Sequence, residues 1–386
     1  MRFLLVNYEY PPIGGGAATA TEKIAQGLLA LGHEVTVLTA AFGDLRGKRD
    51  EHGVLVWRVP ALRARADRSS MREMASYVAS AVWAMPRVLR EYRPEAVITF
   101  FSVPCGPVGW WASRLGRIPY VVSLRGGDVP GTERSLDRMH RLLAPFRRRI
   151  LRDALAVVAN SNGLKTLSEH ADPVPVTVIV NGVDHERFKP VIPTQPRQAF
   201  RFLFVGRLNE QKNVALLLWA FADLAKQQAP AARLKIVGDG PLKPALLAQT
   251  HALGIADLVE WAPWQSREAM LGLYAEADCL VNPSLYEGMP NVVLEAMACG
   301  VPVIASAVAG NIDVIEDDVD GLLFPSCDQL ALSDALCRIL ADPVAAKRIG
   351  LAARQRVVRN YSWLATADAY ADLFKAEHHR ESYEAI

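Results

Sequence analysis

The chain has 386 residues, of which 51% are hydrophobic and 22% charged, so it is long enough for two or three globular domains. Its net charge is only +2, but residues 1–170 carry +9 and residues 171–386 carry −7. The basic half is therefore expected to meet an anionic partner.

Several classes of protein are disfavoured by the apolar runs and cysteines. No run approaches the roughly 18 uncharged apolar residues of a membrane-spanning helix, and the longest candidate is residues 75–85. The apolar run at residues 3–6 is too short for a secretion signal, so we expect a cytosolic protein. The five cysteines are scattered and never spaced C-x-x-C, which argues against zinc or disulfides and favours small buried side chains.

Short apolar runs alternate with amphipathic stretches of helical length from the first residues onward. Arg2–Val6 is predicted to be a buried strand and residues 18–31 a helix that Gly32 ends. Further strands are predicted at residues 34–38, 54–59, 96–100, 120–124, 155–159 and 176–180. This alternation predicts an α/β fold with a doubly wound parallel sheet.

The alternation stops at residues 185–199, which contain three prolines, and then resumes. We therefore predict an N-terminal domain over residues 1–185, a linker over 186–200 and a C-terminal domain over 201–361. The second set of strands is predicted at residues 202–205, 234–237, 258–261, 279–282, 301–305 and 322–324. Ligands of such sheets bind at the carboxyl ends of the strands, so the two domains are expected to face each other across a cleft.

The first glycine-rich loop, Gly14 to Gly16, follows the first strand. Its glycines let backbone N–H groups approach a phosphate or sugar at a helix N-terminus, although a plain tight turn would use them equally. The loop is not a dinucleotide fingerprint, because Thr19 stands where the third glycine is expected. The chain also lacks the G-x-x-x-x-G-K-[ST] motif of P-loop enzymes.

Two loops of the second half combine glycines with charge. Gly206 and Arg207 follow a strand, and Lys212 lies at the start of the next helix, a placement that suits a diphosphate better than solvated surface charges. Gly238 and Gly240 flank an aspartate between the next strand and helix. That turn is predicted either to wrap a base or ribose or simply to start the helix.

A long run at residues 287–305 is the most specific pattern. Glu287 and Glu295 are spaced E-x7-E, with Met289, Pro290 and Asn291 between them. Asn291 is predicted to cap the helix that carries Glu295. Both carboxylates can accept hydrogen bonds from sugar hydroxyls, although Glu295 alone would suit the positive end of a helix dipole.

These motifs, taken in order, resemble the retaining glycosyltransferases of family 4, which have the GT-B fold of two facing Rossmann-like domains. The resemblance covers nearly the whole chain. It includes GGG at 14–16, RGGD at 125–128, NGVD at 181–184, GRLNEQKN at 206–213, GDGP at 238–241, the E-x7-E run and DGLLF at 320–324.

The resemblance implies roles for individual residues. Arg207 and Lys212 would hold the donor diphosphate, Glu287 the hydroxyls of the donor sugar, and Glu295 the ribose. With Glu287, the two cations form the predicted catalytic set. The other donor-binding residues are predicted to be Gly15, Gly16, Gly206, Gly238, Gly240, Met289, Pro290, Asn291, Gly310 and Asn311. Residues 310–312 would offer backbone N–H groups to the phosphates. The helices at about 362–378 would pack back on the N-terminal domain.

One departure from the family pattern lies in the loop after the strand at 120–124. The family often has a His-Gly pair there, but this chain has Arg125 and Gly126. A guanidinium cannot act as a base, so the role of this loop is left open. Asp128 is the nearest carboxylate, and a structural pair with Arg125 is one interpretation.

No cofactor and no metal are predicted. The single D-x-D, formed by Asp318 and Asp320, falls in an acidic turn rather than a metal site. The prediction is a transferase of hexosyl or N-acetylhexosaminyl groups in polysaccharide or glycolipid assembly, with a UDP- or GDP-sugar donor and a saccharide or lipid-linked acceptor. A GT-B sugar-nucleotide epimerase and a non-catalytic sugar-nucleotide-binding protein are the alternatives.

Residues 134–152 form a basic segment with interleaved apolar residues. They include seven arginines and one aspartate, Asp137. Such a face can lie on an anionic membrane, which would make the protein peripheral on the cytoplasmic leaflet. In the alternative, the apolar residues face the core, and Pro145 breaks the helix.

Overall fold

The structure is a computed structural model, and it describes residues 1–65, 69–132, 137–191, 199–228, 232–266 and 268–384. The chain folds into two compact units. The N-terminal domain comprises Met1–Gly182 and the residues from Trp363 onward, and the C-terminal domain comprises Val183–Ser362. The predicted linker over 186–200 lies partly outside the described residues. Phe188 at its start packs its ring against Tyr274 of the C-terminal domain, with centroids 5.9 Å apart.

Within the described residues, the N-terminal domain has an eight-stranded sheet in the order β3-β4-β2-β1-β5-β6-β7-β8. The strands are β1 Arg2–Val6, β2 Glu34–Ala40, β3 Gly47–Glu51, β4 Val54–Val59, β5 Ala96–Phe100, β6 Tyr120–Ser123, β7 Ala156–Ala159 and β8 Val176–Val178. The helices between them are α1 Gly16–Ala30, α2 Met71–Tyr92, α3 Gly106–Gly116, α4 Asp137–Asp153 and α5 Asn162–Ala171.

This sheet is parallel except at one edge. The register pairs Leu4 with Thr36 of β2 and with Val97 of β5. The central strands are buried on both faces, which explains their continuous apolar sequences. β3 is the exception, because it pairs antiparallel with β4 and is charged and exposed. It was not predicted from the sequence, since a solvated edge strand lacks the apolar signal.

The last helix of the chain, α13 Trp363–Glu384, belongs to the N-terminal domain. Its buried Ala367 approaches α1 so closely that a Cβ added at Gly27 would lie 2.6 Å from the Ala367 Cβ. Phe374 meets the Phe3 ring edge-on, with centroids 5.6 Å apart. The helix is therefore part of the apolar core on that side of the sheet.

Within the described residues, the C-terminal domain has a six-stranded parallel sheet in the order β11-β10-β9-β12-β13-β14. The strands are β9 Phe200–Val205, β10 Ala232–Val237, β11 Val259–Ala262, β12 Cys279–Asn282, β13 Val303–Ser306 and β14 Leu322–Phe324. The helices are α6 Val214–Gln228, α7 Lys243–Ala252, α8 Met270–Glu276, α9 Asn291–Ala298, α10 Ala309–Ile312, α11 Gln329–Ala341 and α12 Pro343–Asn360. Aromatic residues of β9 and α6 pack at the centre of its core.

Candidate active site

The loops that the sequence singled out in the C-terminal domain lie at one edge of its sheet. They follow β10, β9, β12 and β13, which are consecutive neighbours in the sheet. Because these strands are parallel, their carboxyl ends share the edge at which open α/β sheets bind ligands. Four motifs that are separate in sequence are thus neighbours in space.

The glycines after β9 and β10 are required because these two loops touch. Leu208 donates its N–H to the Asp239 carbonyl at 2.9 Å. A Cβ at Gly238 would lie 1.9 Å from the Gly206 carbonyl oxygen, and one at Gly240 would lie 2.3 Å from the Leu208 carbonyl oxygen. Gly238 also has a φ of +149°, which side chains rarely adopt. These glycines therefore shape the edge, whatever it binds.

The two predicted cations differ in exposure and in the contacts of their side chains. Arg207 is exposed directly after Gly206. Lys212 ends a 3₁₀ turn, Glu210–Lys212, where the Asn209 side chain accepts the Lys212 N–H at 3.3 Å. The Lys212 side chain is 17% exposed, and its Nζ lies 2.5 Å from Oε1 of Glu287. Lys212 therefore forms an ion pair with Glu287, whereas the sequence predicted that both cations bind a diphosphate.

Among the described residues, the contacts that hold the Glu287 carboxylate are made through Oε1. Besides Lys212, Oε1 accepts from Ser284 Oγ at 2.7 Å and lies 3.5 Å from Asn282 Nδ2. Among the described residues, Oε2 receives no hydrogen bond, and the side chain is 7% exposed. The loop itself is fixed to the 3₁₀ turn, because Leu285 donates its N–H to the Gln211 carbonyl at 2.8 Å.

A buried polar network supports Glu287 from below, and three of its members, Asn282, Ser284 and Ser306, were not predicted from the sequence. Ser284 Oγ lies 2.7 Å from Asn282 Oδ1, and Asn282 Nδ2 donates to Asn311 Oδ1 at 3.1 Å. Asn311 in turn donates to the Ser306 carbonyl at 2.9 Å. The available signal was that Asn282 and Ser306 are polar residues that end the apolar strands β12 and β13.

The loop after β13 does not present its backbone as the resemblance implied. Gly310 donates its N–H to the Glu287 carbonyl at 3.1 Å, and Asn311 and Ile312 donate theirs to the Val308 carbonyl at 2.9 and 3.0 Å. These three donors are therefore used within the domain. A Cβ at Gly310 would lie 2.4 Å from the Gly288 carbonyl oxygen, so this glycine is needed for close packing on the Glu287 loop.

The rest of the E-x7-E run forms the start of α9. The helix begins at Asn291, and Pro290 takes the cap position that the sequence assigned to Asn291. Met289 is buried beside it. In the second turn, Glu295 Oε2 accepts the Tyr274 hydroxyl at 2.8 Å, and burial raises the pKa of that hydroxyl well above its usual value. Tyr274 thereby orients Glu295.

In the N-terminal domain, the Gly14–Gly16 loop leads directly into α1. Gly14 has a φ of +96°, and a Cβ there would lie 2.7 Å from the Glu9 side chain. Gly15 is the N-cap, and Gly16 opens the helix. Glu9 is buried with Arg63, whose guanidinium lies 3.5 Å from its carboxylate.

Arg125 is half-buried at the carboxyl end of β6. Its guanidinium donates to Asn181 Oδ1 at 2.8 Å and to the Tyr370 hydroxyl at 3.3 Å, and it lies 4.9 Å from the centre of the Phe100 ring. Among the described residues its Nε has no hydrogen-bond partner, and burial lowers the pKa of the guanidinium. Arg125 therefore joins the residues just before Gly182 to the last helix.

Asp128 does not form the pair with the Arg125 side chain that was one interpretation of the sequence. Its carboxylate accepts the backbone N–H groups of Arg125 at 2.9 Å and Ser102 at 2.6 Å. Burial raises its pKa above the usual range. Gly126 has a φ of +113°, and its carbonyl accepts the Val129 N–H at 2.7 Å. The Asp128 side chain thus stabilises the loop by hydrogen bonds to backbone N–H groups.

The D-x-D aspartates lie in an ion-paired turn. Asp320 lies 3.3 Å from Arg356 and accepts the Glu316 N–H at 2.8 Å, while Asp318 pairs with Arg338. Burial raises the pKa of Asp320. In the described part of the chain, no group of three His, Cys, Asp or Glu side chains is arranged to hold a metal.

All five cysteines are free, but their settings differ. Cys105, Cys279 and Cys299 are buried, as expected of small apolar side chains. Cys337 is half-buried and Cys327 is exposed, so the prediction is wrong for Cys327.

The basic segment at residues 134–152 is only partly the surface that the sequence suggested; residues 133–136 lie outside the described part. Pro145 does not break α4, which runs through it. Arg147 is buried, with its Nε 2.7 Å from Asp172, and Ile150 and Leu151 are buried in the core. Among the described residues, no helix has the length and apolar character to cross a membrane.

Comparison with known proteins identifies the family. A family model described as glycosyl transferases group 1 matches residues 184–356, and one described as glycosyltransferase family 4 matches residues 14–187. The D-inositol 3-phosphate glycosyltransferase of Saccharomonospora viridis is 30% identical over 297 residues, which are 70% of this chain and 67% of that protein.

Solved structures share the fold. Sucrose-phosphate synthase from Thermosynechococcus elongatus gives a TM-score of 0.82 at 23% identity, covering 100% of both chains. Anabaena HepE, solved in complex with UDP-glucose, gives a TM-score of 0.76 at 21% identity, covering 97% of this chain and 100% of that one. These likenesses show the fold alone. With two parallel-sheet α/β domains and a family model matching each half, the chain belongs to the GT-B glycosyltransferases.

Proposed function

We propose that this glycosyltransferase moves a hexosyl or N-acetylhexosaminyl group from a nucleotide-diphosphate sugar to an acceptor hydroxyl, with retention and without a metal ion or cofactor. The observation that carries the proposal is that the Glu287 carboxylate is held through one of its two oxygens. Oε1 is occupied by Lys212, Ser284 and Asn282, and Oε2 receives no hydrogen bond from the described residues. A carboxylate fixed in this way offers its second oxygen to a sugar hydroxyl.

In this proposal, Arg207 and Lys212 bind the diphosphate of the donor. As the bond between the anomeric carbon and the diphosphate oxygen breaks, the electron pair leaves on the diphosphate. The acceptor oxygen forms the new bond to that carbon, and its proton passes to the departing diphosphate or to water. Arg207 and Lys212 stabilise the charge that develops on the leaving group. Lys212 would then contact Glu287 on one side and phosphate on the other.

The remaining loops fit the nucleotide. Glu295, oriented by Tyr274, would accept hydrogen bonds from ribose hydroxyls. Gly238 and Gly240 let their loop pack tightly on the loop after β9, and the base would lie against the turn formed in this way. The UDP-glucose bound by HepE supports a UDP-sugar, and a GDP-sugar is the second choice. A saccharide or lipid-linked acceptor in polysaccharide or glycolipid assembly agrees with this chemistry.

The test is a mass-spectrometric assay with a panel of UDP-, GDP- and ADP-sugars, with and without saccharide acceptors. We expect one sugar nucleotide to be consumed, with an acceptor product whose anomeric configuration, read by NMR, matches the donor. Glu287→Gln should abolish turnover and leave the affinity for the free nucleotide intact. A changed sugar nucleotide formed without acceptor would instead indicate an epimerase, and an inverted product would overturn retention.

A further inference from the structure

The outer surface of α2, α3 and α4 in the N-terminal domain has no part in the proposed transfer reaction. These helices cover one face of the sheet, where Tyr77, Val108 and Ile150 share an apolar cluster. α3 and α4 are joined by Trp110 and Phe146, whose ring centroids lie 6.4 Å apart. Their solvent sides therefore form one surface, which we call the helical surface.

Large apolar side chains stand exposed on the helical surface. Trp83 of α2 is 87% exposed and Leu142 of α4 is 80% exposed. Trp111, Leu115 and Phe146 are also exposed. An exposed Leu alone is ordinary, but several large apolar side chains on adjoining helices mark a surface that another phase or molecule covers.

Arginines surround these apolar side chains. The exposed arginines of α4 are Arg138, Arg141, Arg148, Arg149 and Arg152, of which Arg148 also pairs with Asp172 at 2.7 Å. On α2, Arg72 and Arg90 lie on the same helical face as Trp83, separated from it by sums of three- and four-residue steps. Asp153 of α4 is already shared by Arg114 at 2.7 Å and Arg149 at 2.9 Å. The helical surface is thus basic as well as apolar.

We propose that the helical surface docks on an anionic lipid bilayer. Trp and Leu side chains enter the interfacial region, and arginines contact lipid phosphates while their stems stay among apolar groups. Each basic residue near such a surface adds to the attraction for anionic lipid. The charge complementarity favours lipid over a second copy of the chain, because two copies would bring these arginines together. Combined with the proposed transferase function, on which this step rests, docking would place the enzyme where lipid-linked acceptors lie.

The surface differs from the one that the basic segment suggested. Arg147 belongs to a buried ion pair with Asp172, so reversing its charge would test folding rather than docking. Trp83, Trp111 and Leu115 lie outside that segment, on α2 and α3. Substitutions at the exposed positions leave the core untouched.

The experiment is flotation of the full chain with vesicles of phosphatidylcholine alone or with about 30% phosphatidylglycerol, at low and high salt. We expect flotation only with the anionic vesicles, fading with salt. Trp83→Ser combined with Leu142→Ser, and separately Arg138→Glu combined with Arg141→Glu, should each weaken partitioning at least tenfold. The matched controls are Trp264→Ser, which removes a 65% exposed tryptophan of the C-terminal domain, and Lys347→Glu combined with Arg348→Glu.

The docking proposal fails if the wild type does not float with anionic vesicles at low salt, or if the controls lose as much as the test variants. Concentration-dependent self-association in sedimentation, abolished by Trp83→Ser without any vesicle binding, would assign the surface to a protein partner and also overturn it. Turnover of the sugar nucleotide is measured separately without lipid. Its absence would refute the proposed transfer reaction and leave the flotation result standing.

Discussion

Variants of the ion pair between Lys212 and Glu287 allow its effect on stability to be measured separately from its effect on catalysis. Lys212→Met removes the cation but leaves a largely buried carboxylate. Breaking a fully buried pair costs about 3–5 kcal/mol, and these side chains retain 17% and 7% exposure, so we expect about 2 kcal/mol. For a domain of this size, that loss lowers Tm by about 4–8 °C.

Activity should fall for a different reason. Losing a charged hydrogen bond to the leaving group costs about 1.5–3 kcal/mol, roughly ten- to 150-fold in kcat/KM. Glu287→Gln keeps the shape of the side chain and removes its charge. In the double variant, Lys212→Met with Glu287→Gln, no uncompensated carboxylate remains. We therefore expect it to regain at least half of the lost stability and none of the lost activity.

The assay is thermal unfolding and steady-state turnover of all four proteins. Lys235→Met is the matched control, because Lys235 of β10 is similarly shielded and lies 3.0 Å from Glu260, away from the active-site loops. Its turnover should be that of the wild type. A double variant no more stable than Lys212→Met, together with wild-type activity in Glu287→Gln, would refute this account of the pair.

Three further predictions concern glycine packing, Arg125 and metal dependence. Gly240→Ala should destabilise the C-terminal domain by about 1–3 kcal/mol, because its Cβ meets the Leu208 carbonyl. Gly272→Ala, in helix α8 and with open space around its Cβ, should keep or raise Tm, so equal Tm values for the two variants would contradict this prediction. Arg125→Lys keeps the charge but cannot span Asn181 and Tyr370, so calorimetry should show a Tm below that of the wild type, and an unchanged Tm would remove its structural role. Turnover should persist in excess EDTA, because Asp318 and Asp320 are ion-paired; loss in EDTA with rescue by manganese would contradict metal independence.

The sequence predicted the strands well because both sheets are largely parallel and buried. Five strands, β1, β4, β5, β12 and β14, have the predicted bounds, and the other predicted strands shift by one or two residues. The charged edge strand β3 escaped prediction, since its partner β4 rather than its own composition makes it a strand.

Within the candidate site, the sequence identified the loops but not their internal contacts. Spacing cannot reveal that Lys212 reaches Glu287, 75 residues away, or that the N–H groups of residues 310–312 are already used. Likewise, Arg147 and Arg148 look alike in sequence and both pair with Asp172, yet Arg147 is buried and Arg148 is exposed. Such differences depend on which neighbours the tertiary fold supplies.

The central claim is that a nucleoside diphosphate binds at the carboxyl edge of the C-terminal sheet. Calorimetric titration with UDP or GDP of the wild type, Arg207→Ala and Arg201→Ala tests it most directly. Both are exposed arginines at the ends of β9, but Arg201 lies at the opposite end, 3.7 Å from Glu276. We predict a loss of roughly ten- to 150-fold in affinity for Arg207→Ala, from about 1.5–3 kcal/mol per charged hydrogen bond, and none for Arg201→Ala. Wild-type affinity in Arg207→Ala, or equal losses in both variants, would contradict the claim.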